Sequence, residues 1–78
     1  MASPKELVEF IAKSLVDDPS QVYVSAIEGE TSVILELRVG PEDMGRVIGR
    51  SGRTANAMRA LVRVLAAKQG KRATLEIL

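Results

Sequence analysis

The chain has 78 residues, 46% hydrophobic and 27% charged, with 11 basic and 10 acidic side chains and neither histidine nor cysteine. One small domain is expected, burying about 60% of the surface that its unfolded chain exposes. Without cysteine there is no disulfide framework, thiolate nucleophile or Cys-ligated zinc, and without histidine the commonest acid–base catalyst is missing too.

The start of the chain, Met1 to Glu6, lacks the basic segment and apolar run of a signal peptide, and no apolar stretch approaches the length of a membrane span. No membrane association is expected, and the default location is cytoplasmic. The net charge of +1 hides a strong asymmetry. Residues 46 to 72 carry Arg46, Arg50, Arg53, Arg59, Arg63, Lys68, Lys71 and Arg72 with no acid, a local charge of +8, whereas residues 1 to 45 sum to −6. Such a division within one domain points to a polyanion-binding face backed by an acidic one, or to a helix face that only keeps the protein soluble.

In chain order, Ser3, Pro4 and Glu6 supply an N-cap, a proline at the first helical position and a capping-box acid, which start a first helix. Leu7, Val8, Ile11 and Leu15 recur at helical spacing, with Phe10 beside them, and Pro19 ends the element. Asp17 and Asp18 read as a solvated loop. From Gln21 to Val39 the period changes to two: Val22, Val24 and Ala26, then Val33, Leu35, Leu37 and Val39, form the inward face of a β-hairpin turning at Glu28-Gly29-Glu30.

Gly40-Pro41-Glu42-Asp43 opens a short second helix that Gly49 ends. Gly45 inside it costs about 1 kcal/mol relative to alanine, so close packing against that helix is expected. A third helix runs from Gly52 or Arg53 to Gln69, with Gly70 as its stop. Met58, Leu61, Val62 and Leu65 form its core stripe. Asn56, Arg59 and Arg63 form a basic ridge leading away from the turn at its start. Ala57 and Val64 lie outside both stripes, either partly buried or exposed as a self-association strip. Ala73, Leu75 and Ile77 alternate with Thr74 and Glu76 in a last strand, giving the order α-β-β-α-α-β over residues 1–78.

The stretch Gly45-Arg46-Val47-Ile48-Gly49-Arg50-Ser51-Gly52-Arg53 joins the last two helices. Gly49 and Gly52 present no Cβ to an approaching backbone, and they bracket Arg50 and Ser51. The run Val47-Ile48-Gly49-Arg50-Ser51-Gly52-Arg53 resembles the VIGxxGxx signature of KH domains, and the element order resembles the type II form of that fold. The length and the glycine–arginine pattern are similar to the KhpA family of small bacterial RNA-binding proteins. The resemblance covers essentially the whole chain and implies an α+β fold, a single type II KH domain whose three-stranded sheet carries three helices.

The same resemblance implies a function. A KH domain clamps about four nucleotides of single-stranded RNA at its GxxG loop. Here the clamp is Gly49, Arg50, Ser51 and Gly52, with Arg46, Arg53 and Arg59 extending an electrostatic track. Val47 and Ile48 are implied as a groove floor facing the hairpin strand, with Ile34 or Arg38 opposite, one of the first pair being equally well a plain core residue. Ala55 stands where many KH domains carry a larger aliphatic, which implies a shallower groove. No cofactor or metal is implied. The family also implies post-transcriptional control or RNA chaperoning linked to cell growth, division and shape, with a larger KH-domain protein as a partner. One clamp contacts few nucleotides, so a homodimer that multiplies affinity through effective concentration is expected.

Competing readings are weaker or less specific. Gly45 to Ser51 is one residue short of a phosphate-binding P-loop and has arginine in place of its lysine. Phe10 and Tyr23 are too few for an aromatic-stacking RNA reader. The chain lacks catalytic candidates and is expected not to be an enzyme. A protein-interaction module in which GxxG is only a turn remains the alternative.

Overall fold

The computed structural model describes residues 3–78; Met1 and Ala2, part of the start of the chain considered above, lie outside the described residues. Helix α1 spans Pro4–Leu15 and begins as its sequence dictates: the Ser3 hydroxyl accepts the Glu6 amide at 3.1 Å and donates to the Glu6 carboxylate at 3.1 Å. Its buried stripe is Val8 and Ala12, flanked by half-buried Leu7 and Ile11. Leu15, expected in the stripe, is exposed, and so is Phe10 at 62%. The helix rests on the sheet by one turn's width, and Val16 takes the inward place beyond its end.

Strands β1 (Tyr23–Glu28) and β2 (Ser32–Arg38) form the antiparallel hairpin, closed by the Gly29 amide donating to the Ser32 carbonyl at 2.8 Å. Strand β3 (Arg72–Ile77) pairs parallel to β2, giving the order β1-β2-β3. A parallel pair needs a crossover rather than a tight turn, and this one carries helix α2 (Met44–Ile48) and helix α3 (Arg53–Lys68). The α-β-β-α-α-β order and the α+β architecture match the sequence expectation. Helices α1 and α3 pack directly on the sheet, and α2 rests mainly on α1 and α3.

The core lies between the sheet and this helical layer. Val33, Leu35 and Leu37 of the central strand meet Val8, Val47, Met58, Val62 and Leu75. The buried residues of α3 are Ala55, Met58, Val62 and Ala66. Leu61, expected in this stripe, is 50% exposed and lies with Ala57 and Val64, at 58% exposure, on an apolar strip facing solvent. Four-residue steps from Met58 follow the helix axis more closely than the three-residue step to Leu61, which turns off the sheet.

Asp43 is the buried acid of this fold, 4% exposed. Its carboxylate accepts the amides of Asp17 and Asp18 at 3.1 and 3.2 Å and lies 3.3 Å from Nε of Arg46. Arg46 in turn reaches the Asp17 carboxylate at 2.9 Å. The Asp17–Asp18 segment is therefore no mere solvated loop: it is fastened to the turn that opens α2. Asp18 also caps the 3-10 turn Pro19–Gln21, and hydrogen bonds from Ser20 and then Gln21 hold its carboxyl below the usual carboxylate range.

Gly45 corrects another expectation. A Cβ built there meets nothing within 4 Å, and the residue is exposed, so nothing packs closely against it. Replacing Asp43 by alanine removes the acceptor of two part-buried amides and leaves Arg46 paired with Asp17 alone; a loss of about 1 to 3 kcal/mol is expected in urea-induced unfolding, with Asp43→Asn recovering part of it.

Candidate nucleic-acid interface

Helix α2 ends at Gly49, whose φ of +78° and ψ of 171° turn the chain out of the helix. Arg50–Gly52 form a single 3-10 turn with Ser51 at φ +57° and Gly52 at φ +75°, and α3 begins at Arg53. Three left-handed or near-left-handed positions among four residues make the loop protrude, and Arg50 and Ser51 are both exposed. No side chain caps the start of α3, and its first turn holds no acid, so the positive end of its dipole is uncompensated.

The two glycines have reasons internal to the fold. A Cβ on Gly49 would lie 2.8 Å from the Thr54 amide nitrogen, in addition to the cost of positive φ. Gly52 needs glycine for its φ alone, since a Cβ there would meet only Asn56 Nδ2 at 3.7 Å. Their openness to an approaching strand is thus a by-product of the turn that presents Arg50 and Ser51.

The basic residues divide into two sets. Arg46 is held by Asp17 and Asp43. Arg59 is half-buried, its Nε donating to the Leu75 carbonyl on the free edge of β3 at 3.2 Å and its Nη1 to Asn56 Oδ1 at 3.2 Å. Among the described residues Arg50, Arg53, Arg63 and Arg72 are exposed and have no ion-pair or hydrogen-bond partner for their guanidinium groups.

The residues expected to line a groove differ in their exposure. Val47 is fully buried and presents no surface to a ligand; only Ile48, half-buried, remains as a floor residue. Ala55 is also buried. Helix α3 packs mainly on β3, and the hairpin strand β2 lies in the centre of the sheet. Ile34 and Arg38 point to the face of the sheet opposite the helices, where Ile34 neighbours Ile27 and Arg38 neighbours Tyr23. Arg59 bridges the seam between α3 and β3.

Sequence reasoning did not place Lys71 and Arg72. With Arg63, Ala67 and Ala73 they line a recess of about 330 Å³ at the far end of this seam. The short turn at Gly70 after a sixteen-residue helix was the available signal, since it folds β3 back along α3. A larger recess of about 530 Å³ lies at Asp17, Asp18, Glu42, Asp43 and Arg46. Its four carboxylates make it unsuited to a polyanion. Among the described residues, no group of three or more acids is placed to hold a metal, and no helix is long and apolar enough to cross a membrane.

Gly49→Ala and Gly45→Ala test the two kinds of glycine. The first is expected to lower stability by about 1 to 3 kcal/mol, through positive φ and the Thr54 contact. The second is expected to raise it by up to about 1 kcal/mol, because its Cβ enters open space in a helix. Thermal or urea unfolding of the two variants distinguishes them by sign.

Comparisons with known proteins identify the family. The model of the KhpA/KhpB KH domain matches residues 5–77. The RNA-binding protein KhpA of Clostridium perfringens is 57% identical over 74 residues, 95% of this chain and 99% of that protein. RNA-binding protein KhpA of Aquifex aeolicus is 49% identical over 78 residues, covering 100% and 99% of the two chains. Among solved structures, Aquifex aeolicus Era bound to GDP and AlF4 superimposes with a TM-score of 0.67 at 20% identity, over 95% of this chain and 29% of that one. Era in complex with MgGDPNP and nucleotides 1506–1542 of 16S ribosomal RNA gives 0.62 at 22% identity, over 95% and 28%. The chain spans under a third of Era, and at this identity the likeness speaks for the fold. The signature at Val47–Arg53, the mixed sheet with its α2-loop-α3 crossover, and near-full-length identity to KhpA proteins place this chain in the KhpA/KhpB KH-domain family.

Proposed function

We propose that this chain, as one KH domain over residues 1–78, binds single-stranded RNA and clamps about four nucleotides at Gly49, Arg50, Ser51 and Gly52. The observation that carries the reading is the protruding turn with two exposed, unpartnered arginines, Arg50 and Arg53, at an uncapped helix start. Arg50, Ser51 and the α3 amides meet phosphate, Arg53 continues the contact, and Ile48 offers an apolar surface to a base. Arg59 lends its remaining N–H groups while anchored to β3. Arg46 acts mainly by holding α2, because two carboxylates already neutralise it.

The relatives named as RNA-binding proteins support this assignment. The activity is binding rather than catalysis, in a cytoplasmic post-transcriptional regulator or RNA chaperone of the kind linked to cell growth and shape, with a larger KH-domain protein as a candidate partner. A homodimer is part of the reading: Ala57, Leu61 and Val64 recur at i, i+4 and i+7 along α3 and are exposed.

Changing Arg50 and Ser51 both to aspartate is expected to abolish binding to an oligouridylate while leaving the amide spectrum of the fold intact. With four phosphate contacts, the wild-type log affinity should fall against log salt with a slope of about −3. A slope near zero, or full affinity in the double variant at fixed salt, refutes the clamp. For self-association, light scattering at high micromolar concentration should report a dimer in the wild type and a monomer in Leu61→Glu; a monomer in both counts against the dimer.

A further inference from the structure

The geometry points to a second, distal phosphate-binding subsite formed by Arg63, Lys71 and Arg72, which lengthens the RNA footprint beyond the four nucleotides of the clamp. This inference rests on the RNA-binding reading and deepens it.

Three observations carry it. The recess at the Gly70 end of the α3–β3 seam has a volume of about 330 Å³ and is lined by three cations and two alanines, with no acid among its lining residues. Arg63 and Arg72 are exposed without ion-pair or hydrogen-bond partners for their side chains among the described residues, so their charge is free for an anion. Lys71 contributes less, because Glu28 lies 3.7 Å from its ammonium. The recess and the clamp also lie at opposite ends of the same helix, α3. Asn56, Arg59, Arg63 and Ala67 follow one another at helical spacing along the side of α3 that faces β3, and Arg59 spans the seam to the Leu75 carbonyl. A strand leaving Gly52 therefore passes Arg59 before reaching the recess.

The distance fits a short RNA. Eleven residues of α-helix separate Gly52 from Arg63, about 16 Å at 1.5 Å per residue. A stacked strand places a phosphate about every 3.4 Å, so the span corresponds to about five nucleotides, and to fewer in an extended strand. It exceeds the Debye length of about 8 Å at physiological salt, so the recess acts on a strand that reaches it and little on one confined to the clamp. Two small alanine side chains in the lining leave room for a sugar-phosphate backbone between the guanidinium groups. No aromatic residue lines the recess, so it reads phosphate and not base identity.

The test is fluorescence anisotropy of labelled oligouridylates of four, eight and twelve nucleotides with the full chain at about 0.15 M salt. Comparing proteins at each length cancels the extra binding registers of longer strands. R63Q/R72Q is expected to bind the four-mer within about twofold of wild type and the eight- and twelve-mers about tenfold more weakly, with a salt slope reduced by about 1.4 for the eight-mer. Each single variant should show about a third of a decade to half a decade of that loss, which keeps the test open if the double variant misfolds. Equal loss at all lengths, or no loss at any, overturns the subsite. A parallel R50D/S51D series separates the two ideas. Wild-type binding by that variant refutes the clamp while a length-selective loss in R63Q/R72Q still upholds the subsite, and unchanged binding by both variants refutes both.

Discussion

Because β2 and β3 run parallel, the chain between them cannot reverse in a hairpin and has to cross the face of the sheet before it can pair again. That requirement organises everything chemically unusual about the molecule. The crossover consists of α2, the Gly49–Gly52 turn and α3, so the turn is thrown out at one end of the helical layer. On its return the chain adds β3 as an edge strand beside α3, which gives the turn a seam leading away from it. Eight basic residues fall within this one crossover and the start of β3, and no acid falls between them.

Charge count and available charge differ here. Arg46 and Arg59 belong to the scaffold: one ties α2 to the segment after α1 through Asp17 and Asp43, and the other ties α3 to the edge of β3. A guanidinium with several fixed donors suits such bridging, and it keeps spare N–H groups where the site is open. Arg50, Arg53, Arg63 and Arg72 carry no such obligation among the described residues. Four of the nine acids of residues 1–45, Asp17, Asp18, Glu42 and Asp43, line one recess instead, where a polyanion is repelled. The near-zero net charge therefore coexists with a directional field.

The secondary elements were readable because each has a local cause. Ser3 and Pro4 start α1, a period of two marks the hairpin, and Gly49 and Gly70 stop α2 and α3 with positive φ. The faces of the helices were less readable. Leu15 and Leu61 fit an apolar stripe by spacing, yet the sheet covers only a narrow band of each helix and leaves them exposed. Hydropathy periodicity locates a stripe to within about one position, and the packing partner selects among the candidates.

Within the site, the sequence by itself determined the turn, the exposed pair Arg50 and Ser51, and the concentration of arginine after Gly45, since glycine placement and charge patterning are local properties of the chain. Only the tertiary structure decided the rest. It buried Val47, left Gly45 open, engaged Arg46 with Asp17 and Asp43, and turned Ile34 and Arg38 to the face of the sheet opposite the helices. The contacts behind the burial of Val47 and the Arg46–Asp17 pair join residues far apart in sequence, 29 positions in the second case. Such pairs leave no periodic or local signature, because they exist only once the helices have packed together on the sheet.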